Sequence, residues 1–406
     1  MLKPNLFGSP ALILILSSWS EKSLSMKAAH YTKRLVSFDS TSRLSNRKIS
    51  KYLEQKLIKH GFVVESLEHD DRRGERKVSL VAKKGSGEGG LAYFAHSDVV
   101  PANSWFTDRF GPFEPTIENE RLYGRGACDM KGSIACMLTA QQSVPLNQMT
   151  RPLYFVVTAD EEVGFNGAKQ VVEESKFYRE IVENGTKAIV GEPTMMEVVH
   201  AHKGSLEIRA TSKGVAAHSS TRDGINSTLP MIPFMAEMKK IYDEIESESK
   251  WKNELFDPAP MGWNITVGDD SPAMNITPSK TVCTVYARPV PGADVGPLLA
   301  RAERAAEENG VKLKVKRWCE PFYCAPDSEF VRQALQLVGR SAPKTVSFAT
   351  DGGILSEITD KIVVGPGDIA QAHTPEEWIS LEQLERGTEL YADLIRYWCG
   401  DKKTDN

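Results

Sequence analysis

Four short runs constrain this chain more than anything else in it: Leu91–Ala95, Leu153–Thr158, Lys187–Val190 and Lys361–Val364. Each is nearly unbroken in apolar character. A strand with one wet face alternates, so unbroken strands imply a sheet covered on both faces. Helical patterns lie around them. Ile49, Leu53 and Leu57 recur every four residues ahead of Gly61, Ser133–Gln142 follows Gly132, and Ser380 with Gln383 forms a capping box for a helix reaching about Trp398. The fold class is therefore α/β, a central sheet flanked by helices.

Residues 202–315 have a different texture. Leu206, Ile208 and Ala210 alternate with polar neighbours. A helix over Ser227–Glu248, interrupted near Pro230 and Pro233, comes next. Strands at Trp263–Val267 and Thr281–Pro289, a helix over Val295–Asn309 and a strand at Lys312–Trp318 complete the segment. Strand-helix-strand-strand-helix-strand is the order of the ferredoxin-like module. A chain of 406 residues exceeds what one core supports. The expected organisation is a catalytic domain over 26–201 and 316–406, with a small α+β domain inserted at 202–315. Residues 1–25 hold an apolar stretch, Ala11–Leu16, too short to span a bilayer. No clean small-residue cleavage site follows it, so residues 1–25 read as an upstream extension or a disordered tail.

Chemistry-bearing residues follow the apolar runs. His96 and Asp98 come after the first, Glu161 and Glu162 after the second, Glu192 after the third, and His373 after the fourth and a Gly365-Pro366-Gly367 turn. Asp129 lies in a glycine-bracketed loop, Gly124 to Gly132, ahead of a helix. In open α/β sheets, ligands gather outside the carboxyl ends of the strands. Residues far apart in sequence can thus meet in one crevice. Two histidines and several carboxylates suit a pair of metal ions. Asp129, between glycines, is the natural bridge. Asp98, two residues past His96, is placed to accept a hydrogen bond from the second ring nitrogen. Glu161 and Glu162, in extended backbone, point apart, so one can bind metal while the other faces an attacking water as general base.

Charge and cysteine content narrow the class. With 50 basic and 54 acidic residues the net charge is -4, which offers no footprint for nucleic acid or a membrane surface. The six cysteines form no CxxC pair and read as idle thiols of a reducing compartment, the cytoplasm.

Over about residues 26–400 the sequence resembles the acetylornithine deacetylase / succinyl-diaminopimelate desuccinylase family of dinuclear zinc amidohydrolases. The matching motifs are His96-Ser97-Asp98-Val99-Val100-Pro101, the Asp129 loop, Glu161-Glu162, Gly191-Glu192-Pro193-Thr194 and Gln371-Ala372-His373-Thr374-Pro375. Ser97 stands where the family usually has Thr. The resemblance implies two zinc ions per subunit, with cobalt as an alternative. His96 and Glu192 would hold one ion, Glu162 and His373 the other, with Asp129 shared. Glu161 would be the general base and Asp98 the support of His96. The inserted domain resembles the family's dimerisation and lid domain. His218, in Ala216-Ala217-His218-Ser219-Ser220, matches the histidine that stabilises the oxyanion across a homodimer. Asn275 and Arg288 match substrate contacts, and Gly352, in Thr350-Asp351-Gly352-Gly353, belongs to the stretch assigned to the substrate α-carboxylate.

His202-Lys203-Gly204 and Arg288-Pro289-Val290-Pro291-Gly292 lean towards the deacetylase branch, with His202 as the specificity residue. The expected reaction is hydrolysis of N-acetylornithine to ornithine and acetate, a step of arginine biosynthesis. The alternatives are a succinyl-diaminopimelate desuccinylase and a metallocarboxypeptidase or dipeptidase of the same family.

Overall fold

The computed structural model describes residues 26–401. The apolar stretch at 11–16, and with it the reading of residues 1–25, lies outside the described residues. The chain divides into two compact units. The first runs to Val199 and takes up again over Cys324–Pro343 and from Leu355 onward, while the second comprises His200–Tyr323 and Lys344–Ile354.

In the first unit the strands run in the spatial order Val63–Asp70, Arg76–Lys84, Leu153–Thr158, Leu91–His96, Lys187–Val190 and Lys361–Val363. Leu91–His96 is parallel to both neighbours, and Lys361–Val363 is parallel to Lys187–Val190. Arg76–Lys84 joins antiparallel, as does Val63–Asp70 beside it, so the sheet is mixed. Every residue of Leu91–His96 and of Leu153–Thr158 is buried, which is why neither run alternates.

Helix Gly132–Ala140 is buried along its whole length and packs against helix Leu381–Cys399. Beneath them runs a chain of hydroxyls. Tyr391 donates to the Val364 carbonyl at 3.2 Å and so accepts from Ser133 at 2.7 Å. Ser133 in turn accepts from Tyr93 at 2.8 Å. Gly191 meets this chain end-on, since a Cβ there would lie 2.5 Å from Ser133 Oγ and from Tyr93. Only glycine lets the backbone pass so close, and the next residue is Glu192. Half of the expected capping box is present: Ser380 Oγ accepts from the Gln383 N–H, while the Gln383 side chain accepts from the Gly367 N–H at 3.1 Å instead of reaching back to Ser380.

The second unit holds a four-stranded sheet in the order Gly262–Asp269, Lys280–Arg288, Ser205–Lys213, Lys312–Cys319, antiparallel throughout. With helices Thr228–Ser247 and Gly296–Glu308 this is the ferredoxin-like order. Leu206, Ile208 and Ala210 face a core with Phe234, Met238, Ile241, Val285 and Ala302, while alternate residues stay outside it. The interruption expected near Pro230 and Pro233 does not occur. Pro230 sits in the first turn, where the N–H has no intrahelical partner to lose. Pro233 lies inside and removes one helical bond, yet the buried face of Met231, Phe234 and Met238 carries the helix through it.

Candidate metal centre

His96, Glu161, Glu162 and Glu192 stand at or just past the ends of strands. His96 is the last residue of its strand. Its Nε2 lies 3.0 Å from Asp129 Oδ1 and 3.6 Å from Glu192 Oε1. On the other side of the ring, Nδ1 lies 2.9 Å from the backbone carbonyl of Asp98 and 3.8 Å from its carboxylate. The partner expected from the sequence was the Asp98 side chain, and the structure corrects it to the main chain. The chemical effect is the same. Nδ1 donates, which leaves Nε2 as the nitrogen facing the carboxylates and the one that would bind a metal.

The Asp98 carboxylate has a different task. It accepts the N–H of Glu161 at 3.1 Å on one oxygen and that of Glu162 at 3.4 Å on the other, and it takes the Ser42 hydroxyl at 2.7 Å. These contacts tie down the Glu-Glu segment, which is a 3-10 turn over Glu161–Val163 rather than extended backbone. The expectation that the two side chains diverge because of an extended chain is corrected accordingly. Asp160 opens the turn at φ 58, and the buried Lys77 lies 3.1 Å from its carboxylate.

Asp129 lies past Gly126, whose φ of 83 and whose missing Cβ, which would stand 2.6 Å from Val99, shape the loop. Its second oxygen, Oδ2, lies 3.2 Å from His373 Nε2, and the same nitrogen is 3.1 Å from Glu162 Oε1. His373 adopts φ 61 and its side chain is half exposed, whereas His96 is buried. Two clusters result, His96 with Glu192 and His373 with Glu162, each on one oxygen of Asp129. His96, Asp129 and Glu162 offer ligand atoms within 4.8 Å of one another.

The electrostatics of this cluster are those of a cation site. Burial opposes charge on His96, but Glu192 and Asp129 outweigh it and hold the imidazole well above its ordinary range. Hydrogen bonds to Asp129 and Glu162 push His373 up to about 10. Burial works to raise Asp129, yet both imidazoles together hold its carboxyl well below the usual carboxylate range. Burial, reinforced by Asp129, pushes Glu162 up. So many buried acids require positive charge among them. With neutral imidazoles the three carboxylates leave a net negative pocket of hard oxygens and ring nitrogens, which fits divalent metal.

The other residues singled out in the sequence, His218, Asn275, Arg288, His202 and Gly352, belong to the second unit. His218 is exposed, and its Nδ1 accepts from the Ser220 N–H at 3.2 Å. In the neutral ring the proton then sits on Nε2. Asn275 is exposed beside it, with its carbonyl accepting from the Ser219 N–H at 2.9 Å. Arg288 ends its strand, with its guanidinium 4.9 Å from the centre of the Tyr286 ring. His202 is buried. Its Nδ1 lies 2.9 Å from the Lys203 carbonyl, and its Nε2 accepts from the Thr350 N–H at 3.4 Å. Gly352 lies in the turn just beyond, its N–H donating to Thr350 Oγ1 at 3.0 Å. His202 thus supports the turn that carries Gly352. Two residues that the sequence reading passed over, Glu377 and Arg125, stand behind Asp129. The signal for Glu377 in the sequence is an acidic pair following the His373 motif, and Arg125 lies in the glycine-bracketed loop of Asp129.

The model of peptidase family M20/M25/M40 matches residues 92–397. The chain belongs to this family. An acetylornithine deacetylase from Myxococcus xanthus is 34% identical over 91% of this chain and 96% of its own. Among solved structures, a metallo-carboxypeptidase of the M20 family from Sulfolobus solfataricus superposes with a TM-score of 0.72 at 16% identity, over 92% of this chain and 99% of that one. A dinuclear metal-binding M20 peptidase from Bacillus subtilis gives 0.57 at 15% identity, over 93% and 99%. This M20 member is an amide hydrolase that depends on metal, and the mixed α/β fold is the family's. Among the described residues, no helix is long and apolar enough to cross a membrane.

Proposed function

We propose that the protein removes the acyl group from an N-acyl amino acid, with N-acetylornithine as its substrate and ornithine and acetate as products. The observation that carries the hydrolytic reading is the division of Asp129 between two clusters, Oδ1 at 3.0 Å from His96 and Oδ2 at 3.2 Å from His373. The choice of acyl amino acid is supported by the deacetylase of M. xanthus, which this chain matches along nearly its whole length. On this reading the step belongs to arginine biosynthesis in the cytoplasm.

His96, Glu192 and Asp129 would hold one zinc ion, and His373, Glu162 and Asp129 the other. Zinc supplies Lewis acidity, which makes water acidic near neutral pH and polarises the scissile carbonyl. Glu161, held by the Asp98 carboxylate through its own N–H, takes the proton of the attacking water and returns it to the leaving amine. His218 acts from the partner of a homodimer. Its Nε2–H, set by the contact of Nδ1 with Ser220, donates to the oxyanion that forms at the attacked carbon. Arg288, Asn275 and the Gly352 turn bind the amino-acid portion, with His202 acting through that turn.

The test is amine release by zinc-loaded protein from N-acetylornithine, with N-succinyl-diaminopimelate and a dipeptide panel in parallel. Fastest release from the acetyl substrate supports the proposal. Preference for the succinyl compound or for dipeptides would overturn the substrate while leaving the hydrolase in place.

A further inference from the structure

Glu377 is 1% exposed and both of its carboxylate oxygens are fully used. Oε1 accepts the N–H groups of Cys128 and Asp129, each at 3.0 Å. Oε2 accepts the N–H of Gly126 at 2.9 Å and the Arg125 guanidinium at 2.6 Å. The main chain reinforces the contact, since the Gly124 N–H donates to the Glu377 carbonyl at 3.1 Å and the Arg125 guanidinium also reaches the Thr374 carbonyl at 3.0 Å. Three backbone N–H groups and a buried cation thus close round one anion. Such a nest of N–H dipoles suits a carboxylate acceptor.

The consequence lies in what these contacts join. The N–H of Asp129 is itself held, which fixes the Cα of Asp129 and the direction in which its carboxylate leaves the chain. Glu377 stands four residues beyond His373, on the segment that delivers that imidazole. A single side chain therefore connects the loop bearing the shared carboxylate to the segment bearing the most exposed histidine of the centre, some 250 positions away.

The geometry points to Glu377 as the positioning residue of the metal centre, setting the spacing between His373 and Asp129 and so the ligand field on that side. Arg125 serves it by holding its charge in place. This rests on the reading of Asp129 and His373 as metal ligands, and it is independent of the substrate.

The experiment uses full-length protein stripped by a chelator and titrated with cobalt(II) chloride, followed by visible absorption. Glu377→Gln keeps the shape but turns an amide NH2 towards groups that are themselves donors. Cobalt affinity is expected to fall about 10- to 100-fold, as for other partners behind metal ligands. The visible band should shift, and kcat should fall while KM stays nearly constant. Arg125→Lys keeps the charge but loses the planar fork, and should move the same readouts in the same direction by less. A folded Glu377→Gln protein with the wild-type cobalt spectrum and affinity would overturn the inference. Should circular dichroism show that this variant does not fold, wild-type cobalt binding in Arg125→Lys would overturn it instead. Wild-type protein that takes up no cobalt would overturn the metal centre itself, a separate outcome.

Discussion

His96 and Asp98 show how far a single residue's role depends on which of its atoms is engaged. The main-chain carbonyl of Asp98 orients His96, and its side chain holds the amides of Glu161 and Glu162. Asp98→Asn should therefore spare the His96 contact and disturb the Glu-Glu turn. The expected result is a fall in kcat of about 10- to 100-fold, read from steady-state rates alongside metal content. Glu161→Ala removes the proposed base but none of the proposed ligands. It should bind metal at wild-type stoichiometry by elemental analysis and lose roughly 100- to 10,000-fold in turnover. Five of the six clustered residues carry a signal in the sequence because they follow apolar strands, and Asp129 carries one because glycines bracket its loop. The Asp98 carbonyl carries none, because a main-chain contact depends on the turn and leaves no mark in side-chain type. Glu377 was hidden for another reason. It and Glu376 look like one solvated acidic pair, and only the fold buries the second while leaving the first exposed.

Strands Leu91–His96 and Leu153–Thr158 were readable from sequence because burial on both faces leaves a nearly unbroken apolar run ahead of their last residues. The hairpin Val63–Asp70 with Arg76–Lys84 was not assigned. Its edge strand is nowhere fully buried and carries charge, so it lacks the same signal. In the second unit, helices Thr228–Ser247 and Gly296–Glu308 are joined through Glu237, Glu244 and Arg301. Lys250 first, then Trp251 and Arg301, hold the Glu244 carboxyl down to about 2. A carboxyl lowered on folding stabilises the protein above its unfolded pKa of about 4.3, and that stabilisation fades as pH falls towards 2. Glu244→Gln should cost about 0.2–1 kcal/mol in urea unfolding at pH 7, with the difference shrinking at pH 3. Phe234→Ala, in the core of the same unit, should cost about 3–5 kcal/mol at either pH, because a lost buried ring does not titrate.

For the whole molecule, the proposed homodimer and metal pair make separate demands. If His218 acts in the partner's site, a mixture of Glu161→Ala and His218→Ala chains, unfolded and refolded together, should recover activity that neither variant has alone. Hybrid dimers would contain one intact site. No recovery would place His218 within its own subunit or outside the reaction. Metal should also contribute to folding, since Asp129 stands between His96 and His373 and a cation bound there would offset the charge of the buried carboxylates. At 100 times its Kd, bound metal stabilises the folded state by about 2.7 kcal/mol, so chelation should lower the unfolding temperature and zinc should restore it. The most direct test of the account is ornithine release from N-acetylornithine by the zinc-loaded protein, before chelation, after it, and after zinc is returned. The account predicts release that stops with the chelator and resumes with zinc. Release unaffected by complete metal removal, or none from this substrate at any zinc loading, would contradict it.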